Sequence, residues 1–180
     1  MNQKFMATTL QSLLIILLTA SFGCQAQNIP KSNLDKRAQI TTMYQKYAQE
    51  FPQVKGITVE ELKDLQQHKQ NLVLIDVRSP DERAVSIIPG AITPEEFESN
   101  LAQYSQDDVT VVAYCTIGYR SGKYADQLRK QGINILNLEG SLLAWSHVRG
   151  TLTNANGITD KIHVFGRQWQ LTANDYQAVW

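Results

Sequence analysis

The stretch Val111-Val112-Ala113-Tyr114-Cys115-Thr116-Ile117-Gly118-Tyr119-Arg120-Ser121 decides how the rest of the chain is read. Val109 to Ala113 is a continuous apolar run broken only by Thr110, as expected of a strand covered on both faces. Gly118 marks a turn, and a helix is expected from about Arg120 to Gln131. Arg129 and Lys130 complement its C-terminal dipole, and Gly132 supplies the left-handed stop. Strand, short loop and helix in this order form the kind of junction at which parallel α/β sheets hold ligands. The strand delivers Cys115 into a turn whose backbone N–H groups point inward, at the positive end of a helix. A thiolate there is stabilised, so the cysteine becomes a candidate nucleophile. Arg120 adds a fixed charge and a planar donor fork suited to oxyanions. A structural cysteine at a strand end is the plainer alternative for Cys115 alone. Gly118, Arg120 and the strand–loop–helix setting together favour the nucleophile.

The neighbouring segments repeat the alternation. Leu72-Val73-Leu74-Ile75 and Ile133 to Leu138 read as further buried strands. Thr58 with Glu61, Ser79 with Glu82 and Thr93 with Glu96 are capping boxes, the last two with proline at the first helical position. Strands alternating with helices predict a parallel sheet with right-handed crossovers. Asp76, Arg78 and Glu82 lie at a strand end and read as scaffold, pairing with one another or with the helix that follows. Cys24 and Cys115 are the only cysteines, which excludes a disulfide-rich scaffold and a four-cysteine zinc site. His68, His147 and His163 have no metal-ligand spacing, so no metal is implied, and they read as surface or core residues.

The 180 residues hold 17 Lys+Arg and 17 Asp+Glu, a neutral balance that argues against a general nucleic-acid binder. Charge is unevenly spread: after Lys4 no residue is charged from Phe5 to Pro30, and Leu13 to Leu18 is wholly aliphatic. A basic start, an apolar middle and then Ala20, Ser21 and Gly23 are the order of an export signal over residues 1–23. Cys24 follows, in a setting that resembles a bacterial lipoprotein signal, where the cysteine is acylated and becomes the mature N-terminus. A cut after Ala26, giving a soluble product, is the rival. Lipidation of Cys24 would anchor the protein to a membrane in the periplasm or cell envelope. Residues 24–53 then hold this cysteine, a polar linker and an accessory helix marked by Leu34, Ile40, Met43 or Tyr44, Tyr47 and Phe51. Residues 54–150 form the central domain. In the tail, residues 151–180, Ile162, Val164 and Phe165 suggest an edge strand. Trp169, Leu171, Tyr176 and Trp180 are anchors expected to pack on the domain, with a partner or membrane contact as the alternative.

Two chemistries use a cysteine loop of this kind. A cysteine phosphatase has His before the cysteine and five residues before the arginine. Here Tyr114 precedes Cys115 and four residues separate it from Arg120. The smaller ring suits one sulfur atom better than a tetrahedral phosphate.

Two further segments join this loop in supporting sulfur chemistry. Leu74 to Glu82 with Ile88-Pro89-Gly90-Ala91-Ile92, Tyr114 to Ser121 in the form C-x-x-G-x-R-S, and Leu138 to Trp145 together resemble a single-domain rhodanese. The resemblance covers residues 54–150. It implies an α/β fold with about five mostly parallel strands flanked by helices. It also implies a persulfide on Cys115, cradled by the backbone of Thr116, Ile117, Gly118, Tyr119, Arg120 and Ser121, with no metal or organic cofactor. The expected activity is transfer of sulfane sulfur from a donor, thiosulfate or a low-molecular-weight persulfide, to a thiol or cyanide, with Arg120 orienting the donor. The alternatives are a rhodanese-like binding module without useful turnover and a carrier that passes persulfide sulfur to a protein. Arg83, Ser86, Ile87 and Ser141 depart from the family pattern, and they are expected to alter the rim of the site.

Overall fold

The computed structural model describes residues 32–68, 71–104 and 108–180. The signal over residues 1–23 and the lipidation of Cys24 lie outside these residues. Helix α1, Asn33–Ala48, opens on a capping box in which the Ser32 hydroxyl accepts the Asp35 N–H and the Asp35 carboxylate accepts the Ser32 N–H. The three expected capping boxes start α2 (Val59–Gln67), α3 (Pro80–Val85) and α4 (Pro94–Ser99). A short α5, Leu101–Tyr104, follows, and then α6 (Tyr119–Arg129) and α7 (Ser141–His147).

Strands β1 (Gly56–Ile57), β2 (Leu72–Asp76), β3 (Thr110–Tyr114) and β4 (Leu136–Leu138) form one parallel sheet in the order β1-β4-β3-β2. Ile92 extends it beyond β2 as a single parallel bridge to Ile75, with the Asp76 N–H donating to the Ile92 carbonyl at 2.9 Å. This is the fold expected of the sequence, with the fifth strand reduced to one bridge and β4 shorter than its apolar run. Alternation along β3 shows why both faces must be covered. Val111 and Ala113 join a core with Phe97, Ala125 and Leu128, whereas Val112 and Tyr114 join one with Leu62, Leu138, Leu142 and Trp145.

Beyond α7, β5 (Thr153–Asn154) and β6 (Gly157–Ile158) make an antiparallel hairpin. Strand β7, Lys161–His163, pairs in parallel with β8, Gln177–Val179, across a 3₁₀ turn at Arg167–Trp169. The expected edge strand therefore ends before Val164 and Phe165, and it joins the chain's own last strand instead of the main sheet. Ile162, Val164 and Leu171 are buried with Leu142 and Trp145, so the tail packs on the domain.

Candidate active site

Cys115 follows the last residue of β3 and is 1% exposed. Its surroundings are held by the first turn of α7. The N–H groups of Leu142 and Leu143, unpartnered within their own helix, donate to the carbonyls of Cys115 and Thr116 at 3.2 and 3.1 Å. Fixing these carbonyls toward α7 leaves the amides that follow free to turn to the sulfur. The Gly118 N–H donates to Cys115 Sγ at 3.1 Å. Gly118 reaches this position with φ of 106°, a conformation that costs other residues free energy. The Ser141 hydroxyl accepts the Cys115 N–H at 3.1 Å and donates to the Leu138 carbonyl at 3.1 Å.

Behind the loop stands Asn137, buried in β4. Its Nδ2 donates to the Gly118 carbonyl at 2.9 Å, and its Oδ1 accepts the Ser121 hydroxyl at 2.7 Å. Ser121 Oγ is 3.6 Å from Cys115 Sγ. Burial pushes the Cys115 thiol up, but hydrogen bonds from Ser121 and Gly118 and the charge of Arg120 outweigh it and hold the pKa below the ordinary thiol value.

Arg120 is not the free anion clamp that the sequence suggests. Its Nη1 and Nη2 donate to the two carboxylate oxygens of Glu82, each at 2.7 Å, and Nη2 also donates to Thr116 Oγ1 at 3.2 Å. Glu82 in turn completes the capping box of α3 by accepting the Ser79 N–H at 3.1 Å. Burial raises the Glu82 pKa, yet the bonds from Arg120 and Ser79 bring it down to about 2. The guanidinium carbon of Arg120 lies 4.9 Å from the centre of the Phe165 ring.

A cavity of about 310 Å³ opens above Cys115. Thr116, Ile117, Tyr119 and Arg120 line it, as do Tyr47 from α1 and Phe165 and Trp169 from the tail. Gly118 and Ser121 lie behind the sulfur. Asp76 and Arg78 stand apart as a buried pair in which Arg78 Nε and Nη2 donate to the two Asp76 oxygens at 2.9 and 2.6 Å. The departures at Arg83 and Ser86 meet this pair and not the rim: Arg83 Nη1 donates to the Arg78 carbonyl at 2.8 Å, and the Ser86 carbonyl accepts from Arg78. Ser141 departs at the loop's support, beneath the sulfur.

The sequence marks Glu82 as scaffold and does not mark Asn137, Tyr47, Phe165 or Trp169 as site residues. An asparagine inside the apolar run Ile133 to Leu138 was the available signal for Asn137. Nothing local pointed to the other aromatic residues. His147 Nε2 lies 2.8 Å from the Leu171 carbonyl, His68 is exposed beside Asp64, and His163 packs near Phe165.

A cysteine at the end of a central parallel strand, its sulfur accepting the Gly118 N–H and its thiol held below the ordinary pKa, defines an α/β protein with a thiolate-stabilising loop. The model of the Rhodanese-like domain matches residues 58–147. A Bacillus subtilis protein named as a sulfurtransferase, YtwF, is 32% identical over 99 residues, covering 52% of this chain and 91% of its own. A protein of Allochromatium vinosum named "Sulfurtransferase" is 33% identical over 95 residues, covering 52% of this chain and 89% of its own. In fold, the chain is similar to a thiosulfate sulfurtransferase from Pseudomonas aeruginosa, with a TM-score of 0.53 at 21% identity over 69% of this chain and 24% of that one. The chain belongs to the rhodanese-like family.

Proposed function

We propose that the protein is a sulfurtransferase that carries sulfane sulfur as a persulfide on Cys115. The observation that supports this most directly is the convergence of donors on Cys115 Sγ in a loop open to a cavity, which favours the thiolate over the thiol. In the first half-reaction the thiolate attacks the outer sulfur of thiosulfate or a low-molecular-weight persulfide. The donor's S–S bond breaks, and its electron pair leaves with the first product. In the second, a thiol or cyanide attacks the terminal sulfur of the Cys115 persulfide, and the Cys115 thiolate is the leaving group. Arg120 and the loop amides stabilise the charge on sulfur in both steps. The leader and Cys24 support a place outside the cytoplasm, tethered to a membrane by lipid.

The test uses the full chain with Cys24→Ser, in which Cys115 is the one remaining cysteine. Intact mass should rise by one sulfur atom after incubation with a donor and return after cyanide or a thiol is added, and Cys115→Ser should abolish both changes. If no donor charges Cys115, the loop is a binding element and the sulfur-transfer reading is wrong.

A further inference from the structure

The cavity above Cys115 is built in large part by residues outside the family-matched segment, residues 58–147. Tyr47 comes from α1, and Phe165 and Trp169 come from the tail. These contribute aromatic surface. Tyr119 packs edge-on to Tyr47 at 5.2 Å between ring centres, and Phe165 packs edge-on to Trp169 at 6.0 Å. Ile117 and Arg120, whose guanidinium carbon lies 4.9 Å from the Phe165 ring centre, complete the walls. The volume falls at the lower end of small-molecule sites, which run from roughly 300 to 1,000 Å³.

Electrostatics point the same way. Among the described residues, Arg120 is the one cationic side chain lining the cavity, and its charge is offset by the bidentate bond to Glu82. With the Cys115 thiolate formed, the three groups sum to one negative charge. A dianionic donor would therefore meet like charge without a free cation, whereas an uncharged apolar arm would gain buried contact with the rings.

We infer that the aromatic cavity receives the apolar arm of a monoanionic organic sulfane-sulfur donor, such as a thiosulfonate R–SO₂–S⁻ or a hydropersulfide R–S–S⁻, in preference to thiosulfate. This rests on the sulfur-transfer reading. With a thiosulfonate, the Cys115 thiolate attacks the outer sulfur and forms the Cys115 persulfide, while the S–S bond of the donor breaks to release the sulfinate R–SO₂⁻. One negative charge stays on the enzyme and one leaves with the sulfinate, and no external oxidant or reductant is needed.

The test compares benzenethiosulfonate, methanethiosulfonate anion and thiosulfate as donors to the full chain carrying Cys24→Ser, reading Cys115 persulfide by mass and kcat/KM by product release. The expected order is benzene, then methane, then thiosulfate, with about tenfold or more between the first two. Trp169→Ala and Phe165→Ala should bring the benzene-to-methane ratio toward one. Binding of benzenesulfinate to the Cys115→Ser variant, read by tryptophan fluorescence, gives a measure that needs no turnover. Equal charging by all three donors, or a ratio unmoved by both alanine variants, would overturn the cavity assignment and leave sulfur transfer standing. Absence of charging by any donor, with saturable benzenesulfinate binding that Phe165→Ala removes, would overturn sulfur transfer while supporting the cavity's ligand class. Absence of both would overturn the two together.

Discussion

Ser141 stands at φ of 46°, in the left-handed region that side chains other than glycine seldom adopt, and its hydroxyl satisfies the Cys115 N–H. Strain and hydrogen bond are thus joined in one residue. Ser141→Ala keeps the strain and loses the bond, leaving a buried N–H without an acceptor, so it should destabilise the protein by about 1–3 kcal/mol. Ser141→Gly loses the same bond but relieves the backbone, and its loss should be smaller. Denaturant unfolding of the two variants checks the order. At Cys115, alkylation should follow a titration below the ordinary thiol value of 9.0, because bonds from Ser121 and Gly118 and the charge of Arg120 exceed the effect of burial. Arg120→Gln removes a positive neighbour and should move that midpoint upward, as read from alkylation rate against pH.

Between elements, α1 acts as a brace for the Cys115 loop. A Cβ placed on Gly118 would lie 2.7 Å from the Tyr44 ring, so the loop and α1 meet where only glycine fits. Tyr47 and Phe51 extend this contact to Tyr119, with ring centres 5.2 and 5.7 Å apart. Gly118→Ala should destabilise through both the positive φ and the collision with Tyr44. In a double-mutant cycle with Tyr44→Ala, only the collision is relieved, so the coupling should be on the order of 0.5–3 kcal/mol and the combined loss less than the sum. Additive losses measured by unfolding would show that α1 does not brace the loop. The capping boxes of α2, α3 and α4 were legible because they are patterns of three residues' spacing. The meeting of Tyr44 with Gly118 was not legible, because 73 positions of intervening chain carry no record of which faces will touch.

Across the whole molecule, two ionisable contacts tie separate parts together and give stability a pH dependence. Glu82 links α3 to Arg120 on α6, with a folded pKa of about 2 against an ordinary 4.5. The unfolded chain binds the proton first, so this contribution is complete above about 4.5 and is lost as pH falls toward 2. His147 joins α7 to the tail through the Leu171 carbonyl, and burial lowers its pKa below 6.5 despite that bond. Its neutral form is favoured on folding, so stability should begin to fall as pH drops below 6.5. Thermal melts from pH 8 to pH 3 should show an early decline that His147→Gln removes and a later one that Glu82→Gln removes.

Read alone, the chain determined the parallel α/β fold, the capped helix starts, the place of Cys115 at a strand end and the family of its loop. These are local matters: apolar runs, caps at fixed spacing, and one strand–loop–helix junction whose geometry follows from adjacent residues. Glu82 was visible as a cap for α3, but its second bond crosses 38 positions to Arg120 and converts a presumed substrate clamp into a closed ion pair. Asn137, Tyr47, Phe165 and Trp169 enter the site from a strand, an N-terminal helix and a C-terminal tail. Tertiary packing alone decided this, because side chains far apart in sequence converge only when the faces that bury them have been chosen by the whole core.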